Sequence, residues 1–103
     1  MRTRTDGGGP VTKIKGTDYV VDRDYREVYT GREWVRLTEQ EFDLLAALGA
    51  NKIMTKSIVA KLIFGDHELA RMVPTLVWRL RRKIGPGAIE NIAGRGYRLR
   101  RRQ

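Results

Sequence analysis

The chain has 103 residues, of which 41% are apolar, and this is enough for one compact domain with a modest core. It contains no cysteine and a single histidine, so a disulfide framework and the usual thiolate zinc sites are excluded, and we expect neither a metal nor a cofactor. No apolar run approaches the length of about 18 residues that a membrane span needs, and no charged-then-apolar leader is present. We therefore expect a soluble, cytoplasmic protein.

The formal net charge of +9 is concentrated in the last third of the chain. Residues 1–70 contain 11 Lys or Arg and 11 Asp or Glu, whereas residues 71–103 contain 10 Lys or Arg and only one acid, Glu90. Confinement of the charge to one segment favours a polyanionic partner, such as the phosphate backbone of a nucleic acid. An anionic membrane surface is a weaker alternative, because the core also needs the apolar face of this segment.

The N-terminal third divides into a tail and a strand-rich stretch. Residues 1–12 are polar and include three consecutive glycines, so we expect a disordered tail, with the folded domain over residues 13–103. Runs rich in Val, Tyr and Trp follow and are separated by turn residues, which predicts a small antiparallel meander. Its expected strands are Tyr19–Val21, Glu27–Tyr29 and Glu33–Leu37.

Two helices should come next. Thr38 and Glu41 have the spacing of a capping box, so a helix should begin there and stop near Gly49. Thr55 can cap a second helix that runs through about Phe64 and buries Ile58, Val59, Leu62 and Ile63. Residues 65–70 are then expected to form a short polar connection.

A third helix is predicted over Arg71–Ile84, with Pro74 in its first turn. At about 100° per residue, one face is apolar and the opposite face is basic. The predicted buried stripe contains Val73, Leu76, Val77, Leu80 and Ile84, and the opposite face carries Thr75, Trp78, Arg79 and Arg82. No carboxylate lies among these arginines, which indicates an external anion rather than a solvated surface with balanced charge.

The chain should end in a β-hairpin. Gly85-Pro86-Gly87 breaks the third helix, and two short strands, Ile89–Ala93 and Tyr97–Arg100, flank Gly94-Arg95-Gly96. Arg95 at the tip is suited to a phosphate or a narrow minor groove. Two capped helices followed by a basic helix are the order of a helix-turn-helix, whose last helix enters the major groove.

Three segments resemble the winged-helix effector domain of OmpR/PhoB-type response regulators, and together with the strand-rich stretch they cover about residues 16–100. The segments are Leu37-Thr38 with Glu41-Phe42 and Leu44-Leu45, then Val73 through Ile84, and then Gly94-Arg95-Gly96-Tyr97-Arg98-Leu99. The resemblance implies an α+β winged helix-turn-helix with a four-stranded N-terminal antiparallel sheet, three helices and a C-terminal β-hairpin wing. It also implies a short strand near Ile53-Met54 that pairs with the wing.

The resemblance also implies which residues contact DNA. The third helix would lie in the major groove and the wing in the adjacent minor groove. The candidates are Pro74, Thr75, Trp78 and Arg79 for bases, Arg71, Arg81 and Arg82 for phosphates, and Arg95 with Arg98 on the wing. Pro74 and Trp78 depart from the residues that the family often has at these places, so base preference does not transfer.

We therefore expect a sequence-specific double-stranded DNA-binding transcriptional regulator, associated with the nucleoid. The resemblance further implies a head-to-tail homodimer on direct-repeat DNA and a contact with RNA polymerase, although the short connection before Arg71 weakens the second expectation. No phospho-acceptor receiver domain precedes the helices, so the sequence is either a fragment or a stand-alone binder.

Three other classes of protein fit the sequence less well. A winged-helix module that binds RNA polymerase or another regulator is the main alternative. RNA binding is less favoured, because Trp78 is the only aromatic residue on the basic helix that could stack on a base. An enzyme is disfavoured, since the sequence shows no nucleophile–base pair, metal cluster or phosphate-binding glycine motif.

Overall fold

The computed structural model describes residues 11–102, so most of the expected tail lies outside the described residues. The predicted winged-helix architecture is confirmed. Its elements are β1 (Val11–Lys13), β2 (Val20–Asp22), β3 (Glu27–Tyr29), β4 (Trp34–Arg36), α1 (Glu39–Ala50), α2 (Lys56–Phe64), a 3₁₀ helix (His67–Met72), α3 (Val73–Ile84), β5 (Ile89–Ile92) and β6 (Gly96–Leu99). Val11 and Thr12 were expected in the tail, but they pair with β2 as part of an edge strand.

The predicted meander forms the N-terminal sheet. Its four strands run antiparallel in the order β1-β2-β3-β4. Val21 and Val28 face each other in the register and are buried, so this side of the sheet packs on the core. The other side carries the Tyr29 and Trp34 rings, whose centroids are 5.4 Å apart.

Helix α1 begins at the predicted capping box. The backbone N–H of Glu41 donates to Thr38 Oγ1 (3.2 Å), and the N–H of Thr38 donates to Glu41 Oε1 (2.9 Å). The helix passes Gly49, the expected stop, and ends at Ala50. A Cβ at position 49 would lie 3.2 Å from the Ile14 side chain, so the glycine allows close packing of α1 on the sheet rather than a turn.

Helix α2 has the predicted cap and end but not the predicted buried face. Thr55 caps it and Gly65, in the left-handed region, ends it. Val59 and Ala60 are buried, whereas Ile58 and Leu62 are 50% and 62% exposed, so their expected burial is wrong. The apolar residues of this helix extend around more of its circumference than the core covers.

The segment before α3 is helical, not an open connection. A 3₁₀ helix spans His67–Met72 and is capped by Asp66, whose carboxylate accepts the N–H of Glu68 (2.9 Å). Arg71 therefore precedes α3, which begins at Val73. A start at Arg71 would place Pro74 where an α-helix needs its backbone N–H, so the first turn must begin later.

The wing hairpin is attached to the chain just before α2. The N–H of Met54 donates to the Tyr97 carbonyl and the N–H of Tyr97 to the Met54 carbonyl, both at 2.8 Å. The pairing with the wing implied near Ile53-Met54 is therefore present, but as an isolated bridge at Met54 and not as a strand. Gly96 lies beside this bridge with φ 122°, and a Cβ there would come within 2.1 Å of the Met54 carbonyl oxygen. Only glycine fits this position without displacing the backbone.

The last arginines bind the N-terminal half of the domain. The Arg101 guanidinium donates to the carbonyls of Lys15 (3.1 Å), Leu48 (3.1 Å) and Gly49 (2.7 Å). It thereby satisfies carbonyls at the end of α1, which have no partner within the helix. Arg102 pairs with Asp18 at 2.6 Å.

A buried ion pair joins α1 to α3. Lys83 Nζ lies 2.6 Å from Glu41 Oε1, and the Glu41 side chain is only 3% exposed. Burial would raise the pKa of Glu41, but hydrogen bonds from Lys83 and Thr38 together outweigh it and hold that pKa below its usual value. The pair fixes α3 against the start of α1.

We expect Glu41→Gln to lower the free energy of unfolding at pH 7 by about 1–3 kcal/mol, because a buried charge-assisted hydrogen bond is weakened. A carboxyl with a lowered folded-state pKa contributes stability above its unfolded pKa of about 4.3, and this contribution is lost as the pH falls through the folded value. The difference between wild type and variant should therefore shrink below about pH 4 in urea denaturation. Glu39→Gln, on the exposed Glu39 that faces Arg26 at 3.9 Å, is the control and should change little. A pH-independent difference would contradict the assignment.

Gly96→Ala should destabilise the domain by about 3 kcal/mol, because the new Cβ collides with backbone and the residue is held at positive φ. Gly94→Ala is the matched control on the same hairpin. Gly94 has φ 72° and nothing within 4 Å of a Cβ, so only the backbone cost of about 1 kcal/mol applies. Equal losses in the two variants, measured by urea denaturation, would show that the close approach to Met54 is unimportant.

Candidate nucleic-acid interface

Helix α3 divides into the two predicted faces. The buried residues are those of the predicted stripe, Val73, Leu76, Val77, Leu80 and Ile84. The opposite side is exposed over Pro74, Thr75, Trp78, Arg79, Arg82 and Lys83. The core therefore fixes the rotation of the helix about its axis, and this rotation determines which side chains face outwards.

Thr75, Trp78 and Arg79 form the centre of the exposed face. Trp78 is 55% exposed although it is one of the largest side chains in the chain. Arg79 is exposed and makes no hydrogen bond or ion pair with any residue of the described range 11–102. Its five N–H donors are therefore free for an outside acceptor.

Arg82 lies one turn beyond Trp78 on the same face. Its Cζ atom is 4.9 Å from the centroid of the Trp78 ring, within the range of a cation–π contact. The Trp78 ring therefore contacts the Arg82 guanidinium without accepting hydrogen bonds from its N–H donors.

Arg81 and Lys83 have internal partners instead. The Arg81 guanidinium donates twice to the Ile89 carbonyl, at 3.1 Å from Nε and 2.7 Å from a terminal nitrogen, and it joins α3 to the wing. Lys83 binds Glu41. Arg81 was expected to contact phosphate, but its Nε and one terminal nitrogen donate to the carbonyl of Ile89 at the start of β5, which leaves fewer of its donors for an outside anion.

Arg71 lies at the beginning of this surface, on the 3₁₀ helix. It is exposed and its guanidinium reaches the Glu68 carbonyl at 3.4 Å. A shallow groove joins Arg71 to α3 and to the first turn of α1, and its lining includes Gln40, Thr75 and Arg79. Gln40 was not among the interface residues predicted from the sequence. Its place in the first turn after the Thr38 cap was a signal that it could lie on this surface.

At its tip the wing presents Arg95, whose side chain has no hydrogen-bond or ion-pair partner within residues 11–102. Arg95 is exposed, and its backbone N–H closes the turn by donating to the Ile92 carbonyl (2.9 Å). Arg98 instead donates to Glu90 at 2.8 Å across the hairpin, and this hydrogen bond lowers the pKa of Glu90. Part of the Arg98 charge is thus offset within the wing.

A second groove lies between the wing tip and the start of α2. It is lined by residues 55–57 and 91–96, so Lys56 and Ser57 share it with Arg95. Sequence reasoning did not include these two residues. The signal was available, because the Thr55 cap places them in the first helical turn, where backbone N–H groups favour anions.

Other kinds of site are not found in the described part of the chain. Residues 11–102 contain no group of three or more His, Asp or Glu side chains placed to hold a metal ion. None of the helices described is long and apolar enough to cross a bilayer. The outstanding polar features of these residues are the exposed face of α3 and the wing tip.

Comparisons with known proteins agree with this arrangement. The chain is 31% identical to the transcriptional regulatory protein VxrB of Vibrio cholerae over 92% of its own length and 40% of that protein. The DNA-binding domain of Bacillus subtilis CssR is 35% identical, with a TM-score of 0.68 over 81% of this chain and all of that domain. The DNA-binding domain of Klebsiella pneumoniae RstA, solved in complex with the RstA box, is 25% identical, with a TM-score of 0.72 over 88% of this chain and 97% of that domain.

The chain spans less than half the length of the curated relatives it matches. Residues 31–99 match the family model described as "Transcriptional regulatory protein, C terminal". This match covers β4, all three α-helices and the wing, which are the elements that build the exposed face and hold it in place. The chain therefore belongs to this family, the OmpR/PhoB-type effector domains that its motifs resemble.

Proposed function

We propose that this chain binds double-stranded DNA with sequence selectivity and regulates transcription, with α3 in the major groove and the wing in the minor groove. The observation that carries the proposal is the exposed face of α3, where Arg79 has free donors and no carboxylate is interleaved. The RstA DNA-binding domain, which shares this fold, is described in complex with the RstA box, and this supports the proposal.

The roles follow from the chemistry of each side chain. Arg79 is suited to a guanine edge, where its donors can form two parallel hydrogen bonds, and Thr75 is suited to a base edge or a thymine methyl group. Arg71 and Arg82 fix the register on phosphates, and Arg95 enters the minor groove. We assign Arg81 and Arg98 to holding the wing rather than to direct contact, because both have internal acceptors.

The larger assembly is part of the same proposal. We propose that two copies bind a direct repeat head to tail and that the DNA-bound protein associates with the nucleoid. A contact with RNA polymerase would then come from the surface that remains free on the DNA complex.

A protein-binding module remains the second candidate, and one observation favours it. Ile58 and Leu62 lie one turn apart on α2 and are both at least half exposed. Exposed apolar pairs on a helix are suited to a protein partner such as RNA polymerase or another regulator. This candidate predicts that the arginines of α3 and the wing are dispensable for binding to duplex DNA.

Selection from a random duplex library should enrich a motif, and Arg79→Ala should weaken binding to that motif by about 5-fold to 150-fold, as for loss of a base contact. Arg32→Ala removes the same charge from the turn between β3 and β4 and serves as the control, with little change expected. Fluorescence anisotropy with a labelled duplex measures both. Unchanged affinity in Arg79→Ala and Arg95→Ala, with loss of a protein partner, would support the protein-binding module instead.

The affinity should depend steeply on salt. If about six phosphates are neutralised, the logarithm of the association constant should fall with the logarithm of salt concentration at a slope near −5. Arg71→Ala should make this slope shallower by about 1, because one phosphate contact is lost. Arg32→Ala should leave it unchanged. A wild-type slope near zero would contradict a phosphate-dominated interface.

A further inference from the structure

We infer that the ring of Trp78 is a positioning surface that holds the Arg82 guanidinium ready for a DNA phosphate. The inference rests on the proposed function and assigns a role to an aromatic residue that the core does not need. Trp78 is 55% exposed and lies on the side of α3 opposite the buried stripe.

The geometry places the two side chains together. Residues four apart on a helix lie on the same face, one turn apart, and their side chains can touch. Arg82 Cζ lies over the Trp78 ring at 4.9 Å from its centroid. Tryptophan is the most favourable aromatic platform for a guanidinium.

Arg82 has no competing acceptor in the described residues. Its neighbours Arg81 and Lys83 have acceptors within the domain, Ile89 and Glu41, whereas Arg82 makes no hydrogen bond or ion pair within residues 11–102. Contact with a ring leaves all five N–H donors available, because the π-face attracts the charge without accepting a directed hydrogen bond from each donor. The guanidinium is thus held in place while its donors remain free.

This arrangement should raise the affinity for DNA because the Arg82 side chain is already ordered in the free protein, and not because Trp78 adds a contact with DNA. A long side chain that is immobilised on binding loses rotamer freedom, and this loss weakens the complex. Contact with Trp78 removes part of that freedom in the free protein. The contribution of Trp78 to affinity should therefore depend on the presence of Arg82, unlike that of a side chain that reads bases itself.

A double-mutant cycle with the enriched duplex tests the inference. Trp78→Ala and Arg82→Ala should each weaken binding by about 5-fold to 10-fold, and the double variant should lose no more than Arg82→Ala alone. Independent roles predict that the two losses multiply, to about 25-fold or more. Because Trp78 is exposed, circular dichroism should show the same fold in all variants.

Conservative substitutions of Trp78 distinguish a role in positioning Arg82 from a direct contact with bases. Trp78→Phe keeps an aromatic face and should retain most of the affinity, whereas Trp78→Leu keeps apolar area without the π-face and should behave like Trp78→Ala. The base preference of Trp78→Leu should match that of the wild type. Trp78→Ala combined with Arg95→Ala, a distant residue on the wing, is the control cycle, and its losses should multiply.

A measurement without DNA checks the contact itself. In proton NMR, the ring should shift the Arg82 Cδ protons upfield, and Trp78→Leu should abolish this shift. Multiplicative losses in the Trp78 and Arg82 cycle, full affinity in Trp78→Leu, or absence of the ring shift would each overturn the inference while the wild type still binds its duplex. Failure of the wild type to bind any duplex selectively would overturn the proposed function as well.

Discussion

The burial of one side of α3 is the constraint on which the rest of this domain depends. Five apolar side chains at helical spacing enter the core, so the helix cannot rotate without exposing them to water. The basic face consequently points outwards in a single orientation. The sheet, α1 and α2 supply the apolar surface that this stripe requires, and the wing extends from the end of the same helix.

Hydrogen bonds and an ion pair fix the positions of the elements next to α3, which the apolar core alone does not determine. The core resists rotation of α3, but directional contacts such as Lys83 with Glu41 and Arg81 with the Ile89 carbonyl fix its two neighbours, α1 and the wing. The high positive charge of the C-terminal third thus serves two purposes. Some cations complete the architecture, and others, among them Arg79, Arg82 and Arg95, have no hydrogen-bond or ion-pair partner within residues 11–102.

The fold was largely predictable because its signals are local: a capping box, a helix N-cap at Thr55, breakers and a strict apolar period in α3. The division of the arginines was not, because a guanidinium's partner depends on which carbonyl the fold brings within reach. The Ile89 carbonyl that Arg81 reaches lies past the end of α3, and Leu48 is 53 residues from Arg101. The exposure of Ile58 was missed for the same reason. An apolar pattern shows what a helix could bury, whereas its neighbours decide how much is covered.

The attachment of Arg101 to Lys15 has a consequence for how the protein is made. The two residues are 86 positions apart, so the hydrogen bond can form only after nearly the whole described chain has been synthesised. Until then, the carbonyls at the end of α1 must remain hydrated, and the N-terminal sheet lacks one of its anchors. On the ribosome, the N-terminal strands of the described range are thus secured by residues that are made after all three α-helices.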